Sequence, residues 1–285
     1  MIRIVVSLTT IPSRLKFLDR VVRDLLNQTH LPDTIYLHIP RYSKKENRPY
    51  DVDSLRTFLP SDSRLLINIC DDYGPITKLI PTLDLETDPE TLIIIVDDDM
   101  HYYPDRIKQL LTYAEEYPNA AIGGDGWIIS SGINFLGYVY QPSQMTKVSI
   151  LQGCSGCLFR RKFFPLKGQD LLDFRDLNPD LRKSAILNDD LWISAYLASR
   201  HIDRYVHPGY KKKTTFLSKI NAISTNPLSY LLKSYPLINH FRKKNLFLEK
   251  QVAPPYYRVG FWVVFVPILF FLLFLFLCSR SLFQL

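Results

Sequence analysis

Along the first half of the chain, short continuous apolar runs alternate with stretches of helical pattern. Ile2 to Leu8 reads as a strand. Leu15, Leu18, Val21, Val22, Leu25 and Leu26 then share one face of a helix from about Arg14 to Gln28, with Ser13 as its N-cap. Thr34 to Ile39 forms a second strand and closes a βαβ unit, whose crossover is right-handed. Pro40 to Tyr50 is polar loop, and Asp53 to Phe58 a short helix. Arg64 to Ile69 is a third strand. Tyr73-Gly74-Pro75-Ile76-Thr77-Lys78-Leu79 is a turn that opens another short helix. Leu92 to Val96, five apolar residues of which four are β-branched, is a strand buried on both faces. Helix resumes near Asp105 and runs to Tyr117. This alternation predicts an α/β fold with a parallel, doubly wound sheet.

The pattern changes after Pro118. Ala120–Gly124, Trp127–Ser130, Phe135–Tyr140 and Lys147–Leu151 read as short strands between Gly and Pro turns, so this half is expected to be mixed or antiparallel. Gln152 to Gly156 is a small-residue loop that Leu158 to Arg161 continue. A helix opens at Asn188-Asp189-Asp190 and reaches about Ser199, and Asp203 to Val206 is a strand. Residues 211–257 are a basic, aromatic connector without clear periodicity. Val259 to Cys278 is then 20 residues without a charge, including six phenylalanines, which matches the span of a bilayer. The expected organisation is a catalytic domain over 1–210, a juxtamembrane connector over 211–257, and a transmembrane helix with a short tail over 258–285.

The buried strand runs straight into Asp97-Asp98-Asp99. Three adjacent anions at the C-terminal edge of a parallel sheet, where open α/β sheets bind ligands, favour a divalent metal carrying a phosphate ester. A solvated acidic turn is the plainer alternative. The net charge of +7 suits anionic partners such as nucleotide diphosphates or phospholipid headgroups. Lys211-Lys212-Lys213 and Arg242-Lys243-Lys244 are the basic runs, too isolated for a nucleic-acid surface. Four cysteines suggest no disulfide framework, and the single pair Cys154 and Cys157 lacks the second pair that a zinc site needs.

In order and spacing, the first strand and turn, Asp97-Asp98-Asp99, the Gly153 to Gly156 loop and Asn188-Asp189-Asp190 resemble a GT-A glycosyltransferase, closest to the family 2-like group. Asn27-Gln28-Thr29 followed by Pro32-Asp33-Thr34-Ile35 is also similar to that group's first helix and second strand. The resemblance covers about Ile2 to Tyr210. It implies a Rossmann-like, mostly parallel sheet and transfer of a hexosyl or N-acetylhexosaminyl group from a nucleotide-diphosphate sugar to a hydroxyl of a glycan, lipid or protein. It implies that Asp97 and Asp99 hold Mn²⁺ or Mg²⁺, with His207 completing the metal shell in some members. Thr9, Arg14, Asp72 and Lys78 match the nucleoside-gripping region, Asp98 lies with the donor-binding acids, and Gly153, Ser155 and Gly156 match the loop beside the donor sugar. Asp190 matches the catalytic base of inverting enzymes. Adjacent side chains on a helix diverge by about 100°, so Asp189 is the candidate for capping or acceptor contact. The chain lacks the Q-x-x-R-W segment of processive synthases, so the resemblance implies one transfer per binding event.

Two other classes share part of this logic. A sugar-1-phosphate nucleotidyltransferase needs a glycine-rich first loop, whereas Leu8 to Arg14 has no glycine. A membrane-tethered carbohydrate-binding module would not need the acids. Lys243, Lys244, Lys250 and Arg258 precede the apolar run, and only Arg280 follows it. The positive-inside rule and the lack of a signal-peptide pattern lead to the expectation of a cytosolic catalytic domain on a single-pass C-terminal anchor.

Overall fold

The apolar runs become β1 (Ile4–Thr9), β2 (Thr34–Pro40), the hairpin pair β3 (Tyr42–Ser43) and β4 (Arg48–Pro49), β5 (Leu65–Cys70) and β6 (Leu92–Ile95). They continue as β7 (Ala120–Gly123), β8 (Asp125–Ile128), β9 (Gly137–Tyr140), β10 (Thr146–Lys147), β11 (Ile150–Leu151), β12 (Cys157–Arg160) and β13 (Asp203–Val206). Between them lie α1 (Leu18–Leu26), α2 (Val52–Phe58), α3 (Ile80–Leu85) and α4 (Arg106–Glu116), then α5 (Pro179–Leu187), α6 (Asp189–Ser199) and α7 (Pro227–Lys243). This is a computed structural model, and it describes residues 2–129, 137–173, 177–211, 227–244 and 246–247.

The main sheet has eight strands in the order β10-β13-β7-β12-β6-β1-β2-β5. β5, β2, β1 and β6 pair in parallel, β12 runs antiparallel between β6 and β7, and β7 pairs in parallel with β13. Edge strand β10 is antiparallel to β13, and β11, β8 and β9 form a separate antiparallel sheet. The fold is therefore mixed α/β around a large, mostly parallel sheet with a mixed second half.

Both faces of this sheet are covered, which is why its strands are apolar throughout rather than alternating. Successive β6 residues point to opposite sides. Leu92 and Ile94 join Val6, Leu8, Leu158 and the α1 residues Leu18, Val22 and Leu25 in one core. Ile93 and Ile95 join Val5, Phe159, Leu83 of α3 and Leu197 of α6 in the other. The two cores clamp β6, so the turn that follows it leaves the sheet in a fixed direction.

Several expectations are corrected. Cys157 to Arg160 are not loop but a strand inside the sheet. Their neighbours β6 and β7 lie far away in sequence, and Arg160 is satisfied by the Pro118 carbonyl and Glu90. Ser13 caps no helix. Pro12–Phe17 is a 3₁₀ turn, and the Ser13 backbone N–H and hydroxyl both bond Glu46. Asp189 does not cap α6 either, since Asn188 occupies the N-cap position. Helix α5 arises at Asn178-Pro179, where the Asn178 side chain accepts from Leu181 N at 2.9 Å. Helix α7 arises inside the expected connector, and its Leu237, Ile238 and Phe241 pack with Leu191 and Ala195 of α6. The run from Val259 to Cys278 lies outside the described residues, and among those described no helix is long and apolar enough to cross a membrane.

The position of β12 makes Leu158, fully buried between two packed neighbours, a sensitive site. Leu158→Ala is expected to lower unfolding free energy by about 2–5 kcal/mol, the usual range for a core leucine cavity. Urea unfolding checks it, and a loss near zero would mean that β12 is peripheral.

Candidate functional site

The acidic turn sits at the C-terminal end of β6 and is organised by cations from other segments. Arg14, on the 3₁₀ turn after β1, donates to Asp98 at 2.7 Å and approaches Asp99 at 3.4 Å. Thr10 donates its hydroxyl to the other Asp98 oxygen at 2.5 Å. Asp98 is thus spent on the protein, with 8% of its side chain exposed, against 19% for Asp99 and 31% for Asp97. The outer acids are the ones with surface to offer a ligand.

Lys78 ends the 3₁₀ turn Gly74–Lys78 and reaches into the middle of the site. Its ammonium donates to Asp97 Oδ1 at 2.5 Å and lies 2.9 Å from Asp189 Oδ2. The second contact is an ion pair without hydrogen-bond geometry, so Asp189 Oδ2 remains a buried oxygen without a hydrogen bond. Burial pulls the Lys78 ammonium towards neutrality, but Asp189 and then Asp97 outweigh it and raise its pKa.

The backbone under Lys78 is fixed by a buried polar chain. Asn68 donates to His38 Nδ1, His38 Nε2 to Thr82, Thr82 to Ser7, and Ser7 to the Lys78 carbonyl at 2.5 Å. The order of donors makes His38 neutral, in line with a pKa that burial lowers to about 3. Such a chain satisfies every buried member and is cooperative. It explains why polar residues interrupt three otherwise apolar strands and the helix beside them.

Asp190, the second residue of α6, accepts the Gly153 N–H at 2.9 Å. A Cβ on Gly153 would lie 2.9 Å from both Asp190 Oδ1 and Lys78 Nζ, so a larger residue here would push those two side-chain ends aside. Burial, with Asp189 next, raises the Asp190 pKa well above an ordinary carboxyl. A helix N-terminus favours the ionised form of such an acid, and burial outweighs it here. Burial, with Asp97 and Asp98, likewise pushes Asp99 up to about 6.

The other expected residues are placed as follows. Thr9 donates to the His38 carbonyl, and Asp72 accepts from the backbone N–H groups of Lys44 and Gly74. Ser155 bridges Gly124 N and the Gln152 carbonyl, and Gly156 adopts φ 79°. His207 is buried and stacks on Tyr113, with Nδ1 donating to the Pro208 carbonyl and Nε2 accepting from Arg106. Both of its ring nitrogens are engaged, and burial followed by the Arg106 charge lowers its pKa to about 3.

Three contributors were not foreseen. Thr10 fixes Asp98. Tyr102 accepts the Asp97 N–H at 2.8 Å and touches the Cys154 carbonyl. Arg106, buried at the start of α4, donates to the Ser155 and Gly156 carbonyls and stacks over Tyr210 at 4.3 Å. The available signal was the aromatic and basic cluster from His101 to Arg106, directly after the acids.

Counted as fully ionised, Asp97, Asp98, Asp99, Asp189 and Asp190 against Lys78 and Arg14 leave a formal excess of three negative charges, which the raised pKa of Asp190 reduces. Glu46 beside them is ion-paired with Arg48, and Lys45 brings a further positive charge within range of Asp98 and Asp99. An oxygen-only donor set with excess negative charge fits a hard divalent cation. No group of three or more His, Cys, Asp or Glu side chains among the described residues could hold a metal ion alone. Mg²⁺-type sites use one or two carboxylates and take further oxygens from substrate phosphate and water. The chain matches no protein-family model, and no curated protein matches it in sequence.

The raised Asp99 pKa has a stability consequence. Its folded value of about 6 exceeds the ordinary value of 3.8, so the folded state binds more protons between those limits. The metal-free protein therefore loses stability as pH rises from about 4 to about 6. Thermal melts across this range are expected to show the decline, and Asp99→Asn to flatten it. An unchanged slope in Asp99→Asn would contradict the assignment.

Proposed function

We propose that this chain is a metal-dependent glycosyltransferase of the GT-A type, moving a sugar from a nucleotide-diphosphate sugar to an acceptor hydroxyl with inversion. One observation carries the reading. Asp97, of a D-x-D turn at a central strand end, and Asp189, of the acid pair opening a later helix, both ion-pair a single buried lysine, Lys78. Two separate carboxylate functions, one for a cation and one for a proton, therefore share one site. The mixed second half of the sheet and the Gly153 approach to Asp190 support the same reading.

Asp97 and Asp99 would hold Mn²⁺ or Mg²⁺ in this scheme, and the cation would supply the charge neutralisation that makes the donor diphosphate a leaving group. Asp98 keeps Arg14 in place behind them. Asp190 takes the proton of the acceptor hydroxyl, the acceptor oxygen forms a bond to the anomeric carbon, and the carbon–oxygen bond to the diphosphate breaks. The departing nucleoside diphosphate carries off that electron pair. A carboxylate raised by its surroundings is a stronger base than an exposed one, so rate rises with pH as Asp190 ionises. Asp189 holds Lys78 and borders the acceptor side. The run Val259–Cys278 anchors the domain to a membrane on its cytosolic face.

Calorimetry with nucleotide sugars and Mn²⁺ tests the reading directly. Nucleotide binding is expected to require the cation, and excess chelator to stop turnover. Asp99→Asn should abolish activity and weaken metal-dependent nucleotide binding, and undiminished turnover in this variant would reject the role. Asp190→Asn should spare donor and metal affinity while turnover falls by about 10²-fold or more, the scale of a lost general base. Normal turnover in Asp190→Asn would remove the base from the mechanism.

A further inference from the structure

Lys78 is not placed as a residue that waits for a ligand. Its side chain is 5% exposed, and its ammonium faces carboxylates from two elements, Asp97 after β6 and Asp189 at the start of α6. Of the outer acids, Asp97 is the more open, yet its Oδ1 is the atom Lys78 holds at 2.5 Å. Arg14 does not play the same part, because Asp98 holds it at 2.7 Å and it only approaches Asp99 at 3.4 Å.

We propose that Lys78 is a built-in competitor of the divalent cation, its ammonium and the metal sharing Asp97. The inference rests on the metal-dependent reading above. A cation arriving at Asp97 and Asp99 meets a positive charge already bound to one of its ligands. Two like charges at such separation in a partly buried site repel by an amount that matters for affinity. Lys78 has somewhere to go, since Asp189 Oδ2 is 2.9 Å away and lacks a hydrogen bond. The four-carbon stem allows a small swing while the Ser7 bond holds the backbone. Space for the ammonium on that side exists because Gly153 has no Cβ. Cation entry thus shifts Lys78 from Asp97 towards the acid pair of α6, beside Asp190. The same lysine keeps the carboxylates together before the donor arrives and weakens the site for free metal, so that cation binding without the donor phosphate is poor.

The test compares Mn²⁺ affinity in the full chain, held in detergent, for wild type, Lys78→Met and Lys78→Arg. Calorimetry uses Mn²⁺ alone and Mn²⁺ with uridine diphosphate. Lys78→Met keeps the stem and removes the charge. It is expected to bind Mn²⁺ alone about tenfold or more tightly than wild type, whereas Lys78→Arg binds no more tightly. A lysine that only supports the fold would not raise metal affinity when lost. Equal or weaker Mn²⁺ binding by a folded Lys78→Met overturns the inference. If Lys78→Met folds poorly without metal, competition predicts that Mn²⁺ raises its melting temperature more than that of wild type, and no such rescue also overturns it. Should wild type bind no Mn²⁺ with or without uridine diphosphate, the metal-dependent reading fails by itself. The inference then stands if Lys78→Met binds Mn²⁺ and falls if it does not.

Discussion

The site depends on the ion pair that Lys78 makes with Asp97 on one side and Asp189 on the other. Removing charges from water costs several kcal/mol per ion, so a buried ammonium persists only with partners on more than one side. Those partners come from segments far apart in the chain, and so the pair forms only once β6, α6 and the Gly153 loop are in place. The polar chain from Asn68 to Ser7 fixes the backbone from which Lys78 reaches, drawing β1, β2 and β5 into the same constraint. Charge placement and fold are therefore coupled, and the acids cannot gather without the sheet that carries them.

Much of the parallel half was legible in the sequence. β1, β2, β5 and β6 are runs of branched and aliphatic residues, and burial on both faces leaves them no polar alternation to confuse the pattern. β12 was not legible, because four residues ending in an arginine give too short a signal and its partners are remote in sequence. Helix α5 carries Ile186 and Leu187 on exposed positions, so its apolar residues do not mark its buried face. Helix α7 holds Pro236 within it, a residue that normally argues against a helix interior. In each case tertiary contact overrode the local signal.

The acids of the site were legible as residue types, and their relations were not. Asp97, Asp99, Asp189 and Asp190 stand out because buried-looking elements lead straight into carboxylates. That Asp98 is occupied by Arg14 and Thr10, while its two neighbours keep exposed surface, is a matter of rotamer and neighbour that spacing cannot express. The same holds for Lys78, which local sequence groups with a nucleoside-gripping turn and the fold moves into the centre of the acids. His207 shows the limit from the other side. A histidine after a strand invites a ligand role, but only the fold reveals that Arg106 and the Pro208 carbonyl take both nitrogens.

An acid excess of this size constrains how a donor can bind. A nucleotide diphosphate carries its own negative charge, and a site with more acids than bases repels it. The chain's net charge of +7 helps at long range, but in salt it is screened beyond about 10 Å and cannot reverse the local sign. On the glycosyltransferase reading, the donor therefore enters with its cation rather than before it. The cation in turn gains most of its affinity from the phosphate oxygens, since Lys78 already holds one of its protein ligands. Each partner makes the other's binding favourable, and neither binds well alone. The site is then closed to free diphosphate and to free metal, and open to the complex of the two.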